Sequence, residues 1–299
     1  RIEQPEDAHV LKVLLLGAPN AGKSTLLNRL AGREISVASG KAQTTRSQIL
    51  GAVTRDSTQL IFMDTPGVVP ANVRSVVERS VITAPWNALR NDPDHIVIVV
   101  DAEYAVRHPV SGSSDSLFGK LAATRQPPRA TLLLNKCDLV TADLGEEAAE
   151  KVLSQLEKRY ASRYPLTDSV MRISAAKGTN IDQLEKHLVS LALPGAWELP
   201  AEEATNHSDA WLVAEVVRAE FYEHLHGVVP YRLRVKTVEW DESNGTMRPA
   251  AKVVVEVGDP GIKRIVIGQD GKIINSVLAR ATDRARASLG KAVRIDLKV

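Results

Sequence analysis

Cysteine is almost missing: Cys137 is the only one in 299 residues. An intramolecular disulfide is therefore excluded, and the usage fits a reducing compartment. Long apolar runs are missing too, none approaching the roughly 20 residues that cross a bilayer. There is no internal repeat and no low-complexity tract. The seven histidines show no metal-ligand spacing, and His224 and His226 lie two apart, off one helical face. A strong excess of one charge is also lacking, the formal net charge being +2. The chain begins at Arg1 rather than Met, as a trimmed or processed form with its targeting peptide removed would.

What is present is a globular composition, 44% hydrophobic and 25% charged, in a length that allows one large domain or two ordinary ones. The small net charge is unevenly spread. From Asp259 onward nine lysines and arginines stand against four aspartates, +5 in all, which leaves −3 for everything before. A basic terminus on a near-neutral body points to an anionic partner at that end.

Short apolar runs alternate with amphipathic stretches through the first two-thirds of the chain. Residues 10–16, 60–64, 95–101, 131–135 and 170–174 read as strands, most of them buried on both faces, with helical patterns such as 145–164 between them. This alternation predicts a doubly wound, mainly parallel α/β domain over residues 1–199. Prolines and polar residues mark a linker over 200–209. Beyond it the order changes to helix, two β-rich runs, two helices and a last strand, an α+β domain over 210–299.

The first strand leads into Gly17-Ala18-Pro19-Asn20-Ala21-Gly22-Lys23-Ser24, followed by Thr25 and a helical pattern. Glycines let backbone N–H groups curl around phosphate oxygens, and the helix adds its positive end. Lys23 is expected to reach the outer phosphates and Ser24 to ligate Mg²⁺. Asp64-Thr65-Pro66-Gly67 closes the second apolar strand. Its carboxylate is placed to hold a magnesium-bound water, and the Gly67 N–H to bond a γ-phosphate. Asn135-Lys136-Cys137-Asp138 selects the base. One carboxylate, Asp138, accepts both adjacent donors of guanine in a charge-assisted pair, whereas adenine turns a lone pair toward it. Lys136 is expected to pack its stem along the base and Asn135 to brace the phosphate loop. Ser174-Ala175-Ala176 follows the last strand and would offer the Ala175 N–H to guanine O6. In order, these four stretches predict GTP over ATP. Between the first helix and second strand, Lys41–Gln48 carries two threonines. Thr45, rather than Thr44, is expected to complete the Mg²⁺ shell when the γ-phosphate is present.

This ordered set, "GAPNAGKSTLLN", "KAQTTR", "DTPG", "NKCD" and "SAA", resembles the Era family of bacterial-type GTPases across essentially the whole chain. The residue after Gly67 is Val68, where Ras-like enzymes carry a water-orienting glutamine. Era-like GTPases share this aliphatic replacement, which implies slow intrinsic hydrolysis. In related GTPases an asparagine at the position of Asn20 helps hold K⁺ near the β- and γ-phosphates. The resemblance thus implies Lys23, Asn20, Thr45 and Gly67 as catalytic residues and K⁺ as a second cation.

In the second domain Ile267-Gly268-Gln269-Asp270-Gly271 and Lys272, with Ile274, fit the clamp of a KH domain, and the element order resembles its type II form. Two glycines would let a single-stranded RNA backbone approach, over a groove floored by Ile267 and Ile274. Lys263, Arg264 and Lys272 would meet phosphates, while Asp270 puts an anion inside the clamp or caps the next helix. The resemblance implies a GTP-hydrolysing switch that binds small-subunit ribosomal RNA near its 3′ end and acts in small-subunit assembly. A non-hydrolysing GTP-bound RNA adaptor, and a GTPase whose tail grips protein, are the alternatives. "LGAPNAGKST" and "PGAWELP" resemble organellar members, so the mitochondrial matrix is the expected compartment and bacterial cytoplasm the alternative.

Overall fold

The computed structural model describes residues 2–37, 49–65, 86–90, 93–108, 117–119, 121, 123, 128–164, 166–242 and 248–299. Thr44, Thr45, Pro66, Gly67 and Val68 lie outside them. The chain divides into two units, Arg1–Gly32 with Thr45–Asn206, and Arg33–Thr44 with His207–Val299.

In the first unit, strands β1 (His9–Gly17), β2 (Ile49–Arg55), β3 (Thr58–Asp64), β4 (His95–Asp101), β5 (Ala130–Asn135) and β6 (Thr167–Arg172) lie in the order β2-β3-β1-β4-β5-β6. Every pairing along this path is parallel except β2 with β3. All of β3 and β5 is buried, as strands covered on both faces must be. The helices include α1 (Lys23–Ala31), α2 (Ala102–Arg107), α3 (Cys137–Leu144), α4 (Glu146–Ala161) and α5 (Ile181–Ser190). In α4, acids open the helix and Lys158 and Arg159 close it, which complements its dipole. Its buried face is Ala149, Leu153, Leu156 and Tyr160, at helical spacing.

Strand β2 is an addition to the reading of the sequence: "ILGAVTR" does not alternate cleanly, yet it pairs along its whole length with β3. The stretch after α5 is also more structured than its prolines suggest. Strand β7 (Leu193–Pro194) pairs antiparallel with the start of β1. Buried Gln59 then clasps the chain, its Oε1 accepting from the Glu198 and Leu199 N–H groups at 2.9 and 3.1 Å, while its Nε2 donates to Leu199 O at 2.8 Å. Further on, Ala52 N–H donates to Ala204 O at 2.8 Å and Thr205 Oγ1 to Leu50 O at 2.8 Å. Residues up to Asn206 thus belong with the first unit.

The second unit runs α6 (Asp209–His224), β8 (Arg234–Asp241), β9 (Ala250–Glu256), α7 (Pro260–Ile267), α8 (Lys272–Leu289) and β10 (Arg294–Lys298). This is the expected α-β-β-α-α-β order. Its sheet is β10-β9-β8, with β9 antiparallel to β8 and parallel to β10. Ser208 caps α6, accepting from Trp211 N–H at 3.2 Å. A stripe of Val277, Ala281 and Ala285 buries one face of α8. Within this unit Glu34 accepts from Arg284 at 2.6 Å and from Ser288, so the described start of Arg33–Thr44 is fixed on α8.

Candidate functional site

The site grows from the junction of β1 and α1. Gly22 caps α1 with φ +97, and a Cβ there would overlap Asn135 Nδ2, so only glycine fits. The cap makes no side-chain hydrogen bond to the helix's first turn. Lys23 is buried and folds back over the loop, donating to Gly17 O at 3.3 Å and Ala18 O at 3.0 Å. Burial lowers its pKa to about 8, against the opposing pull of Asp64. Asn20, exposed at the outer turn, has φ +61, a conformation asparagine tolerates well. Ala18 and Pro19 are half-buried beside it, Ala21 is fully buried, and Thr25 follows on α1.

Ser24 Oγ donates to Asp64 Oδ2 at 2.8 Å, and Asp64 is completely buried at the end of β3. A hydroxyl and a carboxylate converging at the loop supply the hard oxygen donors that suit Mg²⁺. Thr65 is also buried, its Oγ1 donating to Leu15 O at 3.2 Å.

Asn135 joins the loops. Its Nδ2 donates to Ala21 O at 2.8 Å, and its Oδ1 accepts from Ala175 N–H at 3.0 Å. Lys136 has φ +65 and ends on Asp101, with Nζ to Oδ2 at 2.6 Å. Asp138 is half-buried in the first turn of α3. Ser174 is buried and Ala176 exposed, with Ser174 Oγ accepting from Lys177 N–H at 3.1 Å. Cys137 is packed beneath them; burial raises its pKa to about 11, so the thiol is unreactive near neutrality.

Two contributors carry no sequence signal. Arg29, on α1, donates to the carbonyls of Ala175 and Ala176 and so ties that loop to the phosphate-loop helix. Asp101 both caps α2 through Tyr104 N–H at 3.0 Å and holds Lys136. Neither lies in a contiguous motif; each is identified only by what the fold brings beside it.

In the second unit, Asp259 caps α7 by accepting from Gly261 N–H at 2.6 Å. The helix stops at Gly268, where φ is +76 and a Cβ would stand 2.8–3.0 Å from Ile273. Gln269–Gly271 forms one 3₁₀ turn with Asp270 at φ +53, and α8 follows. Lys263, Arg264, Gln269, Asp270 and Lys272 are exposed, while Ile267, Gly271 and Ile274 are half-buried. Ile265, also on α7, is 48% exposed beside them. Not all of the basic tail is available to a partner. Arg280 and Arg284 bind Glu220, and Lys291 binds Asp209 and Glu242. Among the described residues no ion pair engages Lys263, Arg264 or Lys272. A separate groove of about 1070 Å³ between α8 and the small sheet is lined by four acids and four bases, so its charge alone does not favour an anion.

A phosphate loop at the carboxyl end of a central parallel strand, flanked by paired base-side loops, defines a P-loop GTPase domain. The family model described as "50S ribosome-binding GTPase" matches residues 12–144. GTPase Era of Mesorhizobium japonicum is 32% identical over 266 residues, 89% of this chain and 79% of that protein. GTPase Era of Desulfovibrio desulfuricans is 32% identical over 288 residues, 96% of this chain and 90% of that one. The chain belongs to the Era family of GTPases. A solved structure of Era in complex with MgGDPNP and nucleotides 1506–1542 of 16S ribosomal RNA superposes with a TM-score of 0.83 at 28% identity, covering 98% of this chain and 93% of that one. A variant of Aquifex aeolicus Era bound to GDP.AlF4⁻ gives 0.83 at 28% identity, covering 97% and 94%.

Proposed function

We propose that this chain is a GTP-hydrolysing switch that binds small-subunit ribosomal RNA near its 3′ end and acts in small-subunit assembly. The observation that carries this reading is its likeness, over 98% of its length, to an Era captured with both MgGDPNP and a 16S RNA 3′ segment. The labour divides between residues 1–199, which take the nucleotide, and 210–299, which take RNA.

In this reading residues 17–25 wrap the phosphates, Lys23 neutralises their outer oxygens, and Ser24 and Asp64 hold Mg²⁺, Asp64 through water. Mg²⁺ supplies charge neutralisation at the β- and γ-phosphates. Thr45 and the Gly67 N–H sense the γ-phosphate, while Thr65 and Pro66 fix the approach to Gly67. Asp138 reads guanine, Lys136 covers the base, Ala175 N–H meets O6, and Asn135, Ser174 and Ala176 hold that loop in shape. Val68 cannot orient water, so turnover needs help, and Asn20 is assigned to a K⁺ that supplies it. Equal turnover in K⁺ and Na⁺ at matched ionic strength refutes the K⁺ assignment. Lys263, Arg264 and Lys272 engage RNA phosphates around the Gly268–Gly271 clamp, with Ile267, Gln269, Asp270 and Ile274 beneath or beside the bases.

The deciding experiment is GTP turnover in K⁺ buffer, with and without single-stranded RNA matching the small-subunit 3′ end. Stimulation absent for a scrambled RNA is expected. Failure of multiple-turnover phosphate release would favour a GTP-bound adaptor. RNA binding that survives Gly268→Asp with Gly271→Asp would favour a tail that grips protein. The proposed compartment is the mitochondrial matrix, supported by the organellar character of "LGAPNAGKST" and "PGAWELP". Cytosolic localisation of the tagged full-length protein in its own cell refutes it.

A further inference from the structure

The fold brings together three residues that the sequence keeps far apart. His95 opens β4, Asp168 is the second residue of β6, and His187 lies near the end of α5. One ligand atom from each falls within 4.8 Å of the others. The two rings meet edge to face, with centroids 6.4 Å apart. Between them sits the buried Thr131 hydroxyl, 2.8 Å from His95 Nε2 and 3.0 Å from His187 Nε2. One hydroxyl therefore holds both imidazoles turned toward a common point.

Strand geometry supports the third donor. The β5–β6 register pairs Ala130 with Thr167 but Thr131 with Ser169, so Asp168 is an extra residue at a bulge. A bulge re-aims a side chain that regular pleating would place otherwise. His95 is buried, Asp168 is exposed and His187 lies between, which leaves the cluster closed beneath and open to solvent above. Burial, more than any neighbouring charge, keeps His95 below its ordinary pKa, so the ring is neutral near pH 7 and able to ligate.

We propose that His95, Asp168 and His187 form a binding site for a borderline-soft divalent cation of the Zn²⁺ class, separate from the magnesium site at the phosphate loop. Two imidazoles and one carboxylate are a Zn²⁺ donor set with a fourth position left for water, whereas Mg²⁺ prefers six oxygens. Tetrahedral Zn²⁺ with bonds of about 2.0–2.1 Å draws its ligands to roughly 3.4 Å apart. The present separation closes to that by side-chain rotation, the metal replacing the hydrogen bonds to Thr131. The cluster sits at the amino ends of the parallel strands, where His95 pairs with Val13, and the phosphate loop begins at Gly17, four residues further along β1 and roughly 13 Å away. The ion ties β4 to β6 and α5, and the last two flank the Ser174–Ala176 loop in the chain.

The test uses the full chain saturated with GDP and excess Mg²⁺, so that the phosphate-loop site is occupied. Zn²⁺ uptake is measured by equilibrium dialysis, and Co²⁺ binding by its visible absorption. One Zn²⁺ per chain is expected, with a tetrahedral Co²⁺ spectrum, and both are lost in Asp168→Asn and His187→Ala. Asp168 is exposed, so Asp168→Asn should match the parent in circular dichroism and melting temperature when EDTA is present. The proposal is overturned by no uptake in the parent chain, or by uptake that both substitutions leave unchanged. Either result reduces the cluster to a His–Thr–His hydrogen-bond relay.

Discussion

Replacing Asn135 with alanine removes one side chain and breaks two loops' shared support. The amide donates to Ala21 O and accepts from Ala175 N–H, and Asn135, Ala21 and Ala175 are all 2% exposed or less. Each lost bond is worth about 1 kcal/mol net, but a buried partner left unsatisfied costs about 1–3 kcal/mol. With two partners stranded and some water entering the gap, the expected loss is about 2–4 kcal/mol of unfolding free energy. Because the stranded groups lie on the phosphate and base loops, GDP release should quicken by about tenfold, each 1.4 kcal/mol being a factor of ten. Asn135→Asp sharpens the test. It keeps an acceptor for Ala175 N–H but turns an anionic oxygen toward Ala21 O, so it should release GDP at least as fast as the alanine variant. Urea unfolding of the nucleotide-free protein and stopped-flow release of a fluorescent GDP supply the numbers. A loss under about 1 kcal/mol, with release within about twofold of the parent, would refute the bracing role.

Other expectations are read from single positions. For Lys23, the folded pKa of about 8 lies below the free value of 10.5. Its contribution to stability is therefore complete above about 10.5 and is lost as pH falls through about 8, a swing of roughly 3 kcal/mol. The same shift makes nucleotide affinity fall as pH rises through about 8, so titration of GDP binding across that value should show weakening that Lys23→Ala abolishes. Gly268→Ala forces a side chain into φ +76 against Ile273, costing about 1–2 kcal/mol from the backbone alone. Band shifts should show lost RNA binding with unchanged RNA-free GTP turnover. Asp270→Lys removes an exposed anion from the clamp turn. Single-stranded RNA should bind tighter, with a salt slope steeper by about 0.7–1; unchanged affinity counts against the clamp.

The nucleotide loops were legible in the sequence because each is a contiguous motif whose chemistry is local. The strands around them were legible for β1, β3, β4 and β5, whose runs are mainly apolar. Strand β2 was not, since Gly51 and Ala52 give it little apolar signal and its partner β3 supplies the reason to extend. Arg29 and Asp101 escaped because a surface arginine on a helix and an acid ending a strand are ordinary until the fold sets carbonyls or a lysine beside them. Charge counting overstated the tail: it identified nine cations but not that Glu220, Glu34 and Asp209 neutralise Arg280, Arg284 and Lys291. The His95–Asp168–His187 cluster had no sequence spacing to read, because a bulge and three separate elements create it.

The stretch from Leu193 to Asn206 does more than connect. By pairing Ala204 and Thr205 with the outer side of β2, it occupies the Ala52 N–H and the Leu50 C=O of an edge strand that would otherwise offer them to strands from other chains. A nucleotide-binding domain cut at residue 199, where the composition changes, would expose that edge and lose the cover over Gly51 and Ala52. Cut after residue 206, it keeps its own guard against aggregation. Light scattering of the two truncated forms should separate them, the shorter one forming oligomers as concentration rises.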